Sequence, residues 1–320
     1  PIVYKKQSSV LKAVTDLSRL NETLLKTEIR KWVTSLYYQM LVLQEKKQLL
    51  QQTDSLYTAF YQRQEQRLKT GDAGILEKTA AESQLMLVRH QLNLLQEDYH
   101  ALQTQFGALL NTAVLYQPEK TNAAFVLPVN PGIEVAAAYP LLKIKEQEQQ
   151  VAAKEVDYLK TRNLPQFNIG YINQSFVGIQ NINGVDKNYT ASSRFSSAML
   201  GLNIPVFNKA NKARIAAGKA TISVVQSEYD ALLKQHQTTL QTLLIKKQKA
   251  QHQLEYYTKT ALPQAEIIAS NVSLQLSHGA INYMEWIMLS NQIINIRTEY
   301  INAIQEWNAV TIELSSYLNN

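Results

Sequence analysis

The chain has 320 residues, of which 45% are hydrophobic and 18% are charged, with a formal net charge of +6. This composition excludes a disordered chain, and its basic residues lie scattered among Glu and Gln, which favours a solvated helix surface over nucleic-acid binding. There is no cysteine and no apolar run long enough for a transmembrane helix, so disulfides, thiolate metal sites and helical membrane spans are excluded.

One long helix is predicted over residues 5–70, because this stretch contains neither proline nor glycine. Its apolar residues recur at the spacing of a coiled-coil seam. They are Val10, Val14, Leu17, Leu24, Ile29, Trp32, Leu36, Met40 and Leu43. Gly71 and Gly74 should end this helix and let the chain reverse, and a second helix is predicted over residues 75–110.

Further helices are predicted after a connector. Residues 111–132 carry Asn, Pro and Thr and indicate the connector, and residues 134–162 are predicted to be helical. A helical pattern resumes near Arg214 and continues to Pro263, where proline should kink or restart the helix because it lacks an N–H donor and clashes with the preceding turn. Its apolar positions are Ile222, Val225, Tyr229, Leu232, Leu240 and Leu243.

Two stretches with alternating apolar residues predict β-strands at 166–176 and 196–204. One face carries Phe167, Ile169 and Tyr171 in the first strand and Ala198, Leu200, Leu202 and Ile204 in the second. Strands of about ten residues are long enough to cross a bilayer at a tilt, although a soluble hairpin packed against the helices fits the spacing equally well. Residues 173–194 between the strands, rich in Asn, Gly and Ser, predict a polar loop.

An internal repeat relates the two ends of the chain. "LKTGDAGILEKTAAESQL" from Leu68 resembles "LSHGAINYMEWIMLSNQI" from Leu276, and Gly71, Glu77 and Gln84 each have an identical residue 208 positions later. The helices that follow share one heptad seam. Its members are Leu85, Val88, Leu92, Leu95, Tyr99, Leu102, Phe106 and Leu109 in the first copy, and Ile293, Ile296, Tyr300, Ala303, Trp307, Val310, Leu314 and Tyr317 in the second.

A hairpin entered through "LPQFNIGY" and left through "IPVFNKANKARIAAGKA", followed by a long helix and "LSHGAINYMEWIMLSNQ", resembles the TolC family of outer-membrane efflux channels. The resemblance implies a mainly α fold of long antiparallel helical hairpins forming a periplasmic α-barrel. A small amphipathic β-hairpin would contribute to a 12-stranded outer-membrane β-barrel of a homotrimer. Two half-repeats are expected: residues 1–131, which lack a leading helix and strands, and residues 132–320, with the β-hairpin at about 165–205.

More narrowly, "LPQFNIGYINQSFVGIQ" and "SRFSSAMLGLNIPVF" are similar to the channel-like segment joined to the C-terminus of heavy-metal pumps of the resistance-nodulation-division type in Bacteroidetes-like bacteria. The partners that this implies are a periplasmic adaptor, also called a membrane fusion protein, an inner-membrane pump and the outer membrane. The function implied is passive export of heavy-metal cations or small toxic compounds, with a periplasmic coiled-coil adaptor or scaffold as the alternative.

The resemblance also assigns roles to the repeated glycine turns. They would form the periplasmic tips on which the adaptor docks, with a contact surface of Leu68, Thr70, Gly71, Asp72, Ala73, Leu276, His278, Gly279, Ala280 and Ile281. Glu77 and Glu285 would line the pore entrance as a ring of negative charge in a trimer. Where the family often has another acid, this chain has Met288.

No catalytic pattern is found in the sequence. The five histidines show no ligand spacing with carboxylates, so each is expected to be a surface residue or a seam residue, and no nucleophile elbow or phosphate-binding loop is present. Met284 and Met288 lie one helical turn apart, and core packing is expected for them rather than contact with a soft metal ion. We therefore expect no enzyme activity, no cofactor and no bound metal.

Overall fold

The computed structural model describes residues 2–119, 123–124 and 139–318. These residues form six α-helices and four β-strands in the order α1, α2, α3, β1, β2, β3, β4, α4, α5 and α6. The helices are α1 Ile2–Thr70, α2 Ile75–Leu109, α3 Pro140–Thr161, α4 Lys209–Tyr256, α5 Leu262–Ser277 and α6 Tyr283–Leu318. The strands are β1 Gln166–Ser175, β2 Gly178–Ile182, β3 Val185–Tyr189 and β4 Arg194–Asn203. The mainly α fold is confirmed.

The first helix runs without interruption through 69 residues, which corresponds to about 100 Å. Its predicted seam is only partly correct. Met40 is buried, but Val14, Ile29 and Trp32 are exposed, and the core uses Tyr57 and other residues outside the predicted seam. The repeated seam of α2 and α6 is confirmed, because all of its members are buried or half-buried.

The helices on either side of each glycine turn are antiparallel, as predicted. In the first hairpin, Arg89 Nε of α2 contacts Asp54 Oδ1 of α1 at 3.0 Å. In the second hairpin, Arg297 Nη2 of α6 contacts Glu266 Oε2 of α5 at 3.0 Å. Each hairpin reverses within three residues of its glycine, at Gly71 or Gly279.

The predicted disturbance at Pro263 is also present. A short π-helical segment, Tyr257–Ala261, separates α4 from α5, and Pro263 lies in the first turn of α5. Proline cannot donate to the carbonyl one turn earlier, and its ring crowds that carbonyl, so a local widening of the helix accommodates it without a full break.

The helix predicted over residues 134–162 begins later than expected. Tyr139 is not helical, and α3 starts at Pro140, a residue whose fixed φ suits the first turn of a helix. Residues 134–138 lie outside the described residues, as do most of residues 120–132 of the predicted connector. The described part of the connector, residues 111–119 and 123–124, contains no helix or strand.

The two predicted strands correspond to β1 and β4, which pair antiparallel from Gln166 opposite Asn203 to Ser175 opposite Arg194. The prediction of a polar loop over residues 173–194 was wrong. β2 and β3 form a second antiparallel pair there, joined by Asn183 and Gly184, which both have positive φ. An Asn-Gly pair is the preferred two-residue hairpin turn, and this signal was present in the sequence.

The chain divides into two compact units. One consists of Pro1–Asn21 and Leu141–Leu232, and the other of Glu22–Pro140 and Leu233–Asn320. The second unit has a core where α1, α2, α5 and α6 meet, centred on Tyr57, Phe60, Leu85 and Trp286. The first unit holds the strands and the adjoining helix ends. Within the described residues, no helix is apolar over a long enough run to cross a bilayer.

Candidate functional site

The first tip is the turn from α1 into α2, around Gly71. The N–H of Asp72 donates to the carbonyl of Arg67 at 2.8 Å, and that of Gly71 donates to the carbonyl of Leu68 at 3.2 Å. This is the Schellman arrangement, in which the glycine takes a left-handed conformation, and Gly71 has a φ of +81°. Thr70, Gly71 and Asp72 are exposed. The turn thus presents a small, polar surface held by its own backbone bonds.

The second tip, around Gly279, repeats this arrangement 208 residues later. The N–H of Ala280 donates to the carbonyl of Gln275 at 2.9 Å, and that of Gly279 donates to Leu276 at 3.2 Å. Gly279 has a φ of +72°, and His278, Gly279 and Ala280 are exposed. The repeat in the sequence is therefore a repeat of hydrogen bonds and not only of apolar spacing.

The helix after the second tip has a side-chain cap that the first tip lacks. The N–H of Glu285 donates to Asn282 Oδ1 at 2.9 Å, and the N–H of Asn282 donates to Glu285 Oε2 at 2.8 Å. This reciprocal pair is a capping box, which satisfies two backbone donors that the helix start would otherwise leave open. At the corresponding place before α2 stands Gly74, which makes no side-chain cap.

Arg67 connects the two tips. Its Nη2 donates to the carbonyl of Asp72 at 2.7 Å, and its Nη1 lies 3.6 Å from Glu77 Oε2. Its guanidinium also lies over the ring of Tyr283, 4.3 Å from the ring centroid. A planar cation can make these ionic, hydrogen-bonding and stacking contacts at once, which a lysine cannot do. One side chain of α1 thereby holds the start of α2 and the start of α6.

An aromatic cluster lies beneath the tips. Trp286 stacks on Phe60 with ring centroids 4.4 Å apart, and Tyr57 meets the Trp286 ring edge at 6.3 Å. Tyr57 donates to Asn291 Oδ1 at 2.7 Å, and burial raises the pKa of Tyr57 to about 12. Leu276 and Ile281 of the second tip pack against this cluster. The aromatic core thus positions the exposed part of the tip.

The predicted pore-entrance residues lie next to the tips. Glu77 is half-buried beside Arg67, and Glu285 is exposed while it caps α6. Met288 is 62% exposed and Met284 is 64% exposed. The expectation that both methionines pack in the core was wrong, because the core face of α6 is occupied by Trp286, Ser290 and Ile293.

A second candidate surface is the apolar face of β1 and β4. The pairing places Phe167 opposite Leu202, Ile169 opposite Leu200 and Tyr171 opposite Ala198 on one face. Ile169 and Leu200 are 84% and 83% exposed, respectively. The face becomes polar beyond Tyr171, whose hydroxyl lies 2.9 Å from Ser196 Oγ. An apolar band bordered by tyrosine is typical of strands that face lipid.

Sequence reasoning missed the environment of His236. Its side chain is only 2% exposed and lies with its ring near those of Tyr139 and Tyr317, at centroid distances of 4.3 and 5.3 Å. Neither ring nitrogen has a hydrogen-bond partner among the described residues, and burial lowers the pKa of His236. The heptad position of a lone histidine did not distinguish a surface site from this one. Across the described ranges, no three His, Asp or Glu side chains cluster as a metal site would require.

Comparison with known structures identifies the fold. CusC, a protein that forms a transmembrane channel, superposes with a TM-score of 0.82 at 16% identity, over 99% of this chain and 74% of CusC. The MtrE outer-membrane channel of Neisseria gonorrhoeae, in its open state, gives 0.81 at 13% identity, over 98% of this chain and 71% of MtrE. The outer-membrane protein VceC of Vibrio cholerae gives 0.77 at 14% identity, over 98% and 74%.

At these identities the likeness is one of fold, and the chain has the fold of outer-membrane channels. No protein-family profile matches the sequence, and the search of curated proteins found no match.

Proposed function

We propose that this chain is an outer-membrane channel component of a tripartite efflux pump of the TolC type, with its helical hairpins in the periplasm. The observation that carries the proposal is the match of nearly the whole chain, 98–99%, to outer-membrane channels. The exposed apolar face of β1 and β4 supports it, because an adaptor or scaffold made only of coiled coils would not contain strands with a lipid-facing apolar surface.

The partners follow from the same proposal. The intact channel is a homotrimer, the two half-repeats 1–131 and 132–320 contribute to its wall, and the tips at Gly71 and Gly279 dock onto the helical hairpins of a periplasmic adaptor. The identical hydrogen bonds of the two tips support this, since equivalent surfaces can accept equivalent partners. The pump in the inner membrane supplies the energy, so the channel needs no catalytic residue.

Glu77, Glu285 and Met288 form the pore entrance in this proposal, and the exported substrates are heavy-metal cations or small toxic compounds. Three copies of Glu285 would gather into a ring of negative charge that attracts cations. Arg67 offsets the charge of Glu77 within the protomer, so Glu285 contributes the larger part of the attraction.

The test is efflux-dependent resistance to metal salts in a strain that carries this channel with its adaptor and pump, measured together with the amount of assembled channel. We expect Gly279→Val to reduce resistance while leaving the channel level nearly unchanged. A branched side chain strains the left-handed turn by roughly 1–2 kcal/mol, far less than the long seams contribute. Ala231→Val, at an exposed site of α4, is the control and should leave both quantities unchanged.

Unchanged resistance at unchanged channel level for Gly279→Val would mean that the repeated glycine serves folding alone. Wild-type resistance without the chain at all would overturn the channel proposal itself.

A further inference from the structure

The positive charge of this chain is concentrated in one part of the fold. Residues 2–12, 157–164 and 204–219, which we call the collar, contain nine of the 32 basic residues and one of the 26 acidic residues. The collar therefore carries a net charge of +8, and the rest of the chain carries −2, which together give the +6 of the whole chain. The modest overall charge conceals a strongly basic region.

The three collar segments are in contact with one another. Lys6 Nζ of α1 contacts Asp157 Oδ2 of α3 at 3.1 Å. Asn211 Nδ2 of α4 donates to the carbonyl of Leu159 at 2.9 Å and to Asn163 Oδ1 at 2.8 Å. The start of α1, the end of α3 and the start of α4 thus meet within one compact unit, and their cations lie in one region of that unit.

Most of these cations have no acidic partner. Asp157, the single acid of the collar, contacts Lys6 and Lys160. In the described part of the chain, the other seven collar cations make no ion pair, and all seven are exposed. They are Lys5, Lys12, Arg162, Lys209, Lys212, Arg214 and Lys219. A surface with so many unneutralised cations attracts a polyanionic partner.

Exposed apolar side chains accompany the cations. Phe207 is 97% exposed and Val206 is 75% exposed, two and three residues before Lys209. At the start of α1, Ile2 and Tyr4 are likewise exposed and precede Lys5. Aromatic residues beside cations are typical of surfaces that lie at the boundary between lipid headgroups and acyl chains.

The collar is also continuous with the apolar face of β1 and β4. β1 begins at Gln166, two residues after collar residue Leu164, and β4 ends at Asn203, directly before collar residue Ile204. The pair nearest to the collar on the apolar face is Phe167 with Leu202, whereas the far end of the strands is polar. The chain therefore passes from apolar strand surface to basic helix ends within a few residues.

We propose that the collar binds the phosphate headgroups of an anionic phospholipid leaflet, while Phe207 and Tyr4 insert at its acyl boundary. This rests on the proposed membrane location of β1 and β4. A lipid leaflet is the polyanion that accounts for both the cations and the adjoining apolar surface, since a nucleic acid or an acidic protein domain would leave the apolar face exposed to water.

The experiment measures binding of the full chain to vesicles of phosphatidylglycerol with phosphatidylcholine and to vesicles of phosphatidylcholine alone. The collar variant is Lys209→Gln, Lys212→Gln and Arg214→Gln combined. The control variant is Arg63→Gln, Lys234→Gln and Lys246→Gln combined, which removes the same charge from exposed sites outside the collar. Circular dichroism verifies that both variants remain folded.

We expect wild type and control to prefer the anionic vesicles and the collar variant to lose affinity for them by a factor on the order of 100. Affinity for phosphatidylcholine vesicles should not change. The preference should vanish at about 1 M salt, where charges are screened within about 3 Å. Equal losses in the collar and control variants, or no loss in either, would overturn the collar proposal.

Displacement of anionic vesicles by duplex DNA of equal total charge would also overturn it, in favour of a nucleic-acid surface. A chain that binds neither kind of vesicle contradicts the membrane location of β1 and β4, and with it the proposed function. Binding to both kinds without preference contradicts the collar alone.

Discussion

Glu285 is a residue with two separable roles, one in capping α6 and one in carrying charge at the proposed pore entrance. Glutamine can take the place of glutamate in a capping box, because its side-chain oxygen still accepts from the Asn282 N–H. Glu285→Gln should therefore keep the folding stability within about 0.5 kcal/mol and reduce cation export. Glu285→Ala should lower stability by about 1 kcal/mol.

Urea denaturation and metal resistance, measured on both variants, separate the two roles. If Glu285→Gln exports cations as well as wild type, the carboxylate is a cap without a function in the pore. Glu82→Gln is a useful comparison, since it removes one acidic charge from a helix-surface ion pair with Lys78.

His236 predicts a pH dependence of stability. Burial beside Tyr139 and Tyr317 lowers the pKa of His236 below its ordinary value of 6.5 in the folded chain. Below pH 6.5, His236 becomes protonated in the unfolded chain while it stays neutral in the folded chain. The free energy of unfolding is therefore highest above this pH and decreases as the pH falls toward the lowered pKa.

We expect the urea midpoint to fall between about pH 7.5 and about pH 5.5, and this fall to be smaller in His236→Phe, which keeps an aromatic ring in the stack. His90→Gln, at an exposed histidine, should leave the fall unchanged. An equal fall in all three proteins would show that titration of His236 does not control stability.

At the scale of elements, Arg67 links the two helical hairpins at their tips through its contacts with Asp72, Glu77 and Tyr283. Arg67→Lys keeps the charge but loses the hydrogen bond to Asp72 and the stacking on Tyr283. We expect faster amide hydrogen exchange in Arg67→Lys at the starts of both α2 and α6, because both rest on this side chain. Arg63→Lys, one turn earlier on α1, should leave the exchange unchanged, and faster exchange at α2 alone would contradict the connection to the second tip.

The strand pair offers a comparison between its two faces. Leu200 lies on the apolar face opposite Ile169, and Ser197, three residues earlier in the same strand, pairs with Ile172 on the other face. A charge on a lipid-facing strand surface costs roughly 2–4 kcal/mol near the bilayer centre. Leu200→Arg should therefore reduce the amount of membrane-inserted channel, as measured in outer-membrane fractions, much more than Ser197→Arg. Equal insertion of both variants would place neither face in lipid.

The elements predicted best from the sequence are those whose limits depend on local chemistry. Gly71 and Gly279 end helices because the backbone there takes a left-handed conformation, which glycine adopts most readily. A single glycine in the sequence is therefore enough to predict the helix end. The Asn183–Gly184 turn was equally recognisable from the sequence, but β2 and β3 on either side of it lack an alternating apolar pattern. Polar strands exposed on both faces carry no apolar period, which is why composition suggested a loop.

At the scale of the whole molecule, heptad spacing predicted which apolar residues share a helix face, but it did not predict whether another helix covers that face. Leu85 and Ile293 are buried within the chain, whereas Trp32 and Met288, equally apolar, are exposed. The difference depends on which helices pack against which in the folded chain, and a spacing in the sequence contains no information about that. For the same reason the buried place of His236 could not be foreseen.

The exposed apolar residues of α5 lead to a prediction for assembly. Ile267 and Leu274 are 65% and 54% exposed, lie seven residues apart on one helix face, and belong to a helix whose other face is buried through Ala265 and Val272. In the proposed homotrimer this face packs against the next copy, because apolar side chains spaced seven residues apart can insert between the side chains of a neighbouring helix. Ile267→Glu combined with Leu274→Glu should therefore shift the intact channel from trimer to monomer in sedimentation experiments in detergent. Its urea midpoint should remain close to that of wild type, because neither side chain supports the core of the protomer. Ser273→Glu combined with Gln275→Glu adds the same charge at exposed polar sites of α5 that lie away from this stripe and should leave the trimer intact. A trimer that survives the first pair would mean that this face is covered by something other than a second copy of the chain.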